Sequence, residues 1–541
     1  MADGFGYASG ALRYDLELEA GSFLEIYLAI PFGSMDGAGA EWSRLLPEGV
    51  VGAEQFEAAG SEWQTKLGLV EIRLPRAARA FADTFKTAAA HILINRDGPA
   101  LQPGPRRYAR SWIRDGATMA AALMRAGCTR EIRDFIRWYA GFQAADGNVP
   151  CIVDRSGPDW LPEHDSHGEF IYTIMEYYRF TGDRGFLAEM RPAVTKAVGY
   201  IEALRRERLT PEFEATEKRV CYGLLPESVS HEGYLAHPVH AYWDDFWTLR
   251  GLKDATAMSE VLGDEASARR LGALRDSFRE TLYASVRGTM AQRHVDYVPA
   301  SVEWADPDPA AVAAAITTLD EPQHLPEAAL DRTFDEYLKR FRDCRSGKVD
   351  WVNYTPYEMR IIGALVRLGK RQEALELARF FIGDRRPAPW NQWAEIAWRD
   401  PKAPGHIGDM PHTWISAEYM LAFRSLFAFE READQALVIA AGLAPEWLAD
   451  GFEIAVKDLP TYYGKLSYTL RHAGGAALRL LISGDLAVPP GGFVVRPPLR
   501  HPLVSVQLDG RSIETFAEES VTIRACPAAV VMSYGGSDHV P

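Results

Sequence analysis

Cysteine is scarce in this chain: five among 541 residues, at Cys128, Cys151, Cys221, Cys344 and Cys526, with no C-x-x-C pair. So odd and scattered a set excludes a disulfide framework and a structural zinc site, and buried free thiols are the expectation. Long apolar runs are missing too. Nothing approaches the ~18 consecutive apolar residues of a membrane helix, so no membrane span is expected. Positive charge is in deficit, with 59 Lys and Arg against 74 Asp and Glu and a net charge of −15. That balance opposes the counterion release that drives nucleic-acid binding, which excludes nucleic acid and anionic membrane surfaces as expected partners. The first residues, MADGFGYASGALRYDL, have neither the basic start nor the apolar core of a secretion signal, and location stays open.

What is present is an ordinary globular composition, 47% hydrophobic and 25% charged, long enough for more than one folding unit. Leu12 to Phe32 alternates around a Glu19-Ala20-Gly21 turn and predicts two strands. Two strands alone cannot bury a face, so they are expected either to dock on the main domain or to be the remnant of a preceding β-domain. From about Ala78 to Glu430 the apolar period is helical, with turns at Gly127, Gly182, Gly263 and Gly369, each ending one helix and starting the next. Serial αα-hairpins of unequal spacing predict a closed helical toroid rather than a regular solenoid. After Glu430 short alternating segments separated by Gly, Pro and Asp predict an antiparallel β-sandwich. The expected plan is mainly α. An N-terminal β segment and linker covers 1–75, a toroid catalytic domain 76–432, and a C-terminal β-sandwich 433–541.

Four loop segments concentrate acids, aromatics and histidines. In the first, Arg114 and Asp115 beside Trp112 could hold two neighbouring sugar hydroxyls under an indole, or simply cap a helix with an ion pair. The second contains His164, Asp165, Ser166, His167 and Glu169. Ser166 and Glu169 form a capping box by spacing, and no ligand partners surround the histidines for a metal. The third contains Glu227 to Gly233 and then Trp243-Asp244-Asp245. Adjacent acids between tryptophans are costly to bury as anions, and a carboxyl desolvated against an indole has the raised pKa of a general acid. Which of Asp244 and Asp245 is the acid stays open. The fourth contains Trp390, Trp393, Glu395 and Trp398, then Gly405 to Trp414. Glu395 among tryptophans could activate a water or be a structural acid, and Glu418 is expected to be a satisfied interior polar residue.

Trp243-Asp244-Asp245, followed by Glu395, Asp400-Pro401, Gly405, Gly408 and Thr413-Trp414, resembles the six-hairpin glycosidases, and most nearly their trehalase and processing α-glucosidase side. The C-terminal strands are similar to the β-domain of rhamnosidase-type members. Two departures stand out: Phe246 occupies a position where those families carry serine, and His412 lies in a loosely matching stretch. The resemblance implies an (α/α)6 toroid and an inverting glycoside hydrolase of neutral oligo- or polysaccharides that needs no cofactor and no metal. Asp244 is then the expected acid and Glu395 the expected base. Trp112, Arg114, Asp115, Glu169, Trp243, Asp245, Trp351, Trp393 and His412 are the expected sugar contacts. Two alternatives stand beside it. One is a sugar epimerase or polysaccharide lyase using His231, His240, His412 or Tyr242. The other is a non-catalytic carbohydrate-binding protein. The sugar, its anomer, exo or endo action and the oligomeric state are not fixed by the sequence.

Overall fold

The computed structural model describes residues 11–26, 52–215, 217–403, 405–498 and 501–535. Its contacts fall into two compact units, Met1–Thr65 and Lys66–Pro541. In the first, the expected turn forms: the Ser22 N–H donates to the Glu19 carbonyl at 3.0 Å. The expected strands do not. Residues 11–26 are exposed and carry no ladder; 27–32, the end of the second expected strand, lie outside the described residues. Helix α1 (Gly52–Leu67) follows, exposed along Glu54–Glu62.

The second unit is a helical segment followed by β-sheets. Its helices are α2 (Arg79–Ile94), α3 (Ile113–Arg125), α4 (Arg130–Ala140), α5 (Ser166–Thr181), α6 (Arg184–Arg206), the single turn α7 (Pro211–Glu214) and α8 (Tyr242–Leu262). They continue with α9 (Glu265–Arg293), α10 (Pro309–Thr317), α11 (Glu327–Arg345), α12 (Arg360–Arg367), α13 (Arg371–Gly383) and α14 (Thr413–Phe427). The four turn glycines all adopt left-handed backbone, φ +88° at Gly127, +67° at Gly182, +79° at Gly263 and +79° at Gly369. Aspartates cap the helices that follow Gly182 and Gly263, and α10 as well. Asp183 accepts from Phe186 N–H, Asp264 from Ser267 N–H, and Asp308 from both Ala310 and Ala311 N–H.

Two kinds of helix alternate. α3, α5, α8 and α14 are buried nearly all round, whereas α9 and α11 bury one stripe. The buried helices pack in sequence: α3 on α5, α5 on α8, α8 on α10, α10 on α12, α12 on α14, and α14 back on α3. α2, α4, α6, α9, α11 and α13 pack outside them. At the α5–α8 crossing a Cβ on Gly168 would lie 2.0 Å from the Trp247 carbonyl oxygen, and one on Gly251 2.8 Å from Gly168 Cα, so the two backbones meet only because both residues are glycine.

Short strands β2 (Ser111–Trp112), β3 (Ile152–Asp154) and β4 (Gly157–Asp159) form a small sheet between helices. β5 (Asn353–Tyr354) and β6 (Ala397–Trp398) form another. After α14 the chain continues into β7 (Ala428–Arg431), β8 (Ala436–Ile439), β9 (Ile454–Thr461), β10 (Gly464–His472) and β11 (Ala477–Leu486). It ends with β12 (Phe493–Val495), β13 (Leu503–Leu508), β14 (Arg511–Ile513), β15 (Val521–Ile523) and β16 (Ala528–Tyr534). One sheet has seven strands in the order β1-β9-β10-β11-β16-β13-β14, its first strand β1 being Glu71–Arg73. A four-stranded sheet runs β15-β12-β8-β7, with β12 and β8 parallel rather than antiparallel. Among the described residues no helix is long and apolar enough to cross a membrane, and the five cysteines are free.

Candidate active site

The loops entering the buried helices, and the first turns of those helices, enclose a cavity of about 360 Å³. Arg114 and Asp115 come from the first turn of α3, Trp243 from α8, Ala310 and Ala311 from α10, Arg360 from α12, and Trp414 from α14. Five helix N-termini, each carrying partial positive charge, therefore face one space, a setting that favours carboxylates in the loops between them.

Four carboxyl side chains line that space: Asp115, Glu232, Asp308 and Glu395. Glu395 accepts from the Tyr108 hydroxyl at 2.5 Å and the Tyr357 hydroxyl at 3.3 Å, and His406 Nε2 lies 3.5 Å away. These contacts fix the orientation of the carboxyl group. Its loop is tight, since Gly408 has φ +69° and a Cβ there would sit 2.8 Å from Glu395 Oε2. Asp409 fixes the opposing strap by accepting from the Arg106 and Tyr108 N–H groups at 2.8 and 2.9 Å. Glu232 accepts from Trp112 Nε1 at 2.9 Å, and Trp112 packs edge-on against Tyr108 with centroids 5.6 Å apart. An aromatic pair thus joins the two glutamates: Glu232 to Trp112, Trp112 to Tyr108, Tyr108 to Glu395. The backbone around Glu232 is strained, with φ of +32° at Ser230, +28° at His231 and +59° at Glu232, none of them glycine. Such strain collects where a side chain is aimed for function.

Asp115 is fully buried on the floor. Burial raises its pKa well above the usual range, Arg114 opposes this, and the charges of Glu395 and Glu232 add to it. Arg114 donates to Glu163 at 2.7 Å, lies 3.7 Å from Asp165, and stacks over Trp414 at 5.1 Å. His412 touches the Tyr357 hydroxyl at 2.8 Å; burial lowers its pKa to about 4, so it is a neutral imidazole near pH 7.

Of the residues expected as catalytic groups or sugar contacts, Glu395, Trp112, Arg114, Asp115, Trp243 and His412 line the cavity. The others do not. Asp244 points away from it into a serine cage, accepting from Ser228 Oγ, from Ser230 Oγ at 2.6 Å and from His164 N–H at 3.3 Å. Burial and nearby Asp165 raise its pKa, as the flanking tryptophans led one to expect, but the carboxyl is sealed off. Asp245 accepts from Leu225 N–H at 3.1 Å, also outside the cavity. Glu169 is completely buried and does not form the expected capping box, because Ser166 is already the first residue of the helix and Asp165 precedes it; Asp165 accepts from Trp243 Nε1 at 2.7 Å. Trp393 is a core residue donating to the Phe381 carbonyl, and Trp351 packs on Tyr354. Among the histidines and tyrosines of the alternative chemistry, His231 shares the cavity with His412. His240 is held between Arg208 and Glu303, and Tyr242 between Ser285 and Thr289. Cys221, His240 and Glu303 come within ligating reach of one another. His240 Nε2 accepts from Arg208, its Nδ1 meets Glu303 at 2.6 Å, and burial pushes the Cys221 thiol up to about 12.

Burial pushes Asp245 up to about 8. A carboxyl whose pKa is raised on folding contributes stability that is complete below its unfolded value of about 4 and is lost as pH rises toward 8. Asp245→Asn keeps an acceptor for Leu225 and removes this dependence. Between pH 5 and 8 the wild type should lose stability relative to the variant by up to about 4 kcal/mol, read by calorimetric melting at a series of pH values. Parallel curves would mean that Asp245 is ionised in the folded protein.

No family model matches the chain, and no curated protein does. Solved structures do. An α-L-rhamnosidase from Dictyoglumus thermophilum aligns with a TM-score of 0.57 over 86% of this chain and 50% of its own, at 12% identity. The rhamnosidase of Bacillus sp. GL1 aligns at 0.56 over 78% and 43%, at 14% identity. The Streptomyces avermitilis α-L-rhamnosidase, solved with L-rhamnose, aligns at 0.55 over 86% and 42%, at 13% identity. The chain has the fold of these rhamnosidases. It spans half or less of the length of each of them.

Inspection of the sequence singled out neither Glu232 nor Asp308, Tyr108, Tyr357 or Arg360 as a site residue, though all share the cavity with the rhamnosidase-fold helix starts. Two signals were there to be used. Asp308-Pro309 is a helix-start signature, and Ser230-His231-Glu232-Gly233 places an acid in a tight turn just ahead of Trp243.

Proposed function

We propose that the chain is a glycoside hydrolase built on an (α/α)6 toroid, acting on neutral glycosides with inversion at the anomeric carbon. The cyclic packing of α3, α5, α8, α10, α12 and α14, with one outer helix per inner helix, supports the toroid. The observation that carries the chemistry is the pairing of Glu232 and Glu395 across one aromatic-walled cavity. On this reading Glu232 protonates the departing glycosidic oxygen. Glu395, oriented by the Tyr108 and Tyr357 hydroxyls, takes a proton from the water that attacks from the opposite face. Asp115 and Arg114, on the floor, hold ring hydroxyls, and Trp112, Trp243 and Trp414 supply apolar walls. Asp244 would then stabilise the loop that presents Glu232, by fixing Ser228 and Ser230, rather than donate the proton.

The rhamnosidase fold and the trehalase-like and α-glucosidase-like motifs together set the substrates to try: 4-nitrophenyl glycosides, methyl glycosides and disaccharides of L-rhamnose and D-glucose, in both anomers. Proton NMR of the first product should show one sugar released with its anomeric configuration inverted. A retained configuration would replace the water-activating role of Glu395 by a nucleophilic one. Solvent deuterium entering a sugar carbon without any bond cleavage would instead favour proton abstraction by His231 or His412, both of which face the cavity.

A further inference from the structure

Three tryptophans are conspicuously exposed in the Lys66–Pro541 unit: Trp160 at 43%, Trp304 at 51% and Trp390 at 63%. Single exposed aromatics are normal. Trp304 differs in what lies beneath it. Its indole packs edge-on against Tyr234 with centroids 5.3 Å apart. Tyr234 stacks on His231 at 5.9 Å and 26°, and His231 meets Trp243 at 5.5 Å. His231 and Trp243 line the cavity. A continuous run of rings therefore leads from the surface to the site, and no ring contact among the described residues links Trp160 or Trp390 to it.

The loop that carries Trp304 is fixed at several points. Glu303 accepts from His240 N–H at 2.9 Å, Ser301 Oγ donates to Asp306 at 2.5 Å, the Tyr234 hydroxyl donates to Asp306 at 2.8 Å, and the Tyr297 hydroxyl donates to the Ala305 carbonyl at 2.9 Å. Ala305 holds a left-handed φ of +48°. A half-exposed indole held this firmly offers an apolar face without needing to be ordered on binding. It also lies on a definite side of the cavity. Tyr234 and His231 belong to the same tight segment as Glu232, whereas Glu395 is held by Tyr108 and Tyr357 and its loop packs against Gly408.

We propose that Trp304 is a stacking platform for a second pyranose ring, on the leaving-group side of the bond to be cleaved. This rests on the hydrolase reading with Glu232 as the acid, because the acid must lie beside the departing oxygen and hence beside the sugar that leaves with it. The ligand class is then a neutral disaccharide or longer glycoside rather than a single sugar on a small alcohol.

The test compares Trp304→Ala and Trp304→Tyr with the wild type on the methyl glycosides and the disaccharides of the substrate series. Turnover is read together with binding by titration calorimetry. Trp304→Ala should lose about tenfold in kcat/KM on the disaccharide, mainly through KM, the size of one aromatic contact. It should stay within about twofold on the methyl glycoside, and Trp304→Tyr should recover most of the loss. Equal losses on both substrates, or none on either, would overturn the platform. If the wild type cleaves nothing in the series, the hydrolase reading fails, and the platform is judged by affinity alone. Tighter disaccharide binding by the wild type than by Trp304→Ala upholds it, whereas equal affinity, or no binding by either, ends it.

Discussion

Glu232→Gln should lower kcat/KM on methyl glycosides and disaccharides by about 10³-fold, while dinitrophenyl glycosides lose no more than about tenfold. The asymmetry follows from what an acid does. An alkoxide is a poor leaving group and needs the proton; a dinitrophenolate departs without it. The glutamine keeps the size of the side chain and an oxygen to accept from Trp112 Nε1, which in the wild type lies 2.9 Å from Glu232, so the turn at 230–233 should hold its shape. A uniform loss across all leaving groups would show that Glu232 positions the substrate and does not donate a proton to it.

Removing the base has a different signature. Glu395→Ala should reduce turnover by at least about 10³-fold for every leaving group alike, because attack by water is then unassisted whatever departs. The cavity left by the side chain adjoins the Tyr108 and Tyr357 hydroxyls that held the carboxylate at 2.5 and 3.3 Å, and a small anion such as azide can enter it. Added azide should restore activity and yield a glycosyl azide of inverted configuration, seen by NMR. Activity that survives in Glu395→Ala without azide would remove Glu395 from the reaction. Tyr108→Phe, which takes away one donor and leaves the carboxylate in place, should show a much smaller loss.

The fold and the site were not equally legible in the sequence. The four glycines that end helices could be placed because a left-handed residue after an apolar helical stripe has a local signature, and all four carry positive φ. β9, β10, β11, β12, β13 and β15 were visible as short alternating segments. β7, β8 and β16 were missed because burial on both sides, or a run of small residues, erases that alternation. For the site, the argument that acids between tryptophans must be desolvated was correct in direction for Asp244 and Asp245. What no linear pattern conveys is whether a buried carboxyl borders a cavity or is walled in behind it. The serines that enclose Asp244 are 16 and 14 residues away along the chain. Glu232 was overlooked for the converse reason. Its neighbours are polar, and although Gly233 marks a turn, the left-handed backbone falls on Ser230, His231 and Glu232, residue types that do not announce it. Trp393 and Trp351 shared a segment or an aromatic character with the site, but their rings turn toward other partners.

The three-residue strand β1 pairs antiparallel with β9, Ile72 facing Val456, and beside it Arg73 reaches Glu453 across 380 positions of sequence. At ordinary translation speeds of about 5–20 residues per second, β1 leaves the ribosome roughly 20–80 s before its partner strand exists. The cycle of buried helices has the same timing, since α14 must be made before it can meet α3. Both ends of the helical body are therefore fastened late and almost together. Until then α3 lacks its packing partner from α14, so the ring of buried helices cannot close before most of the chain has been made.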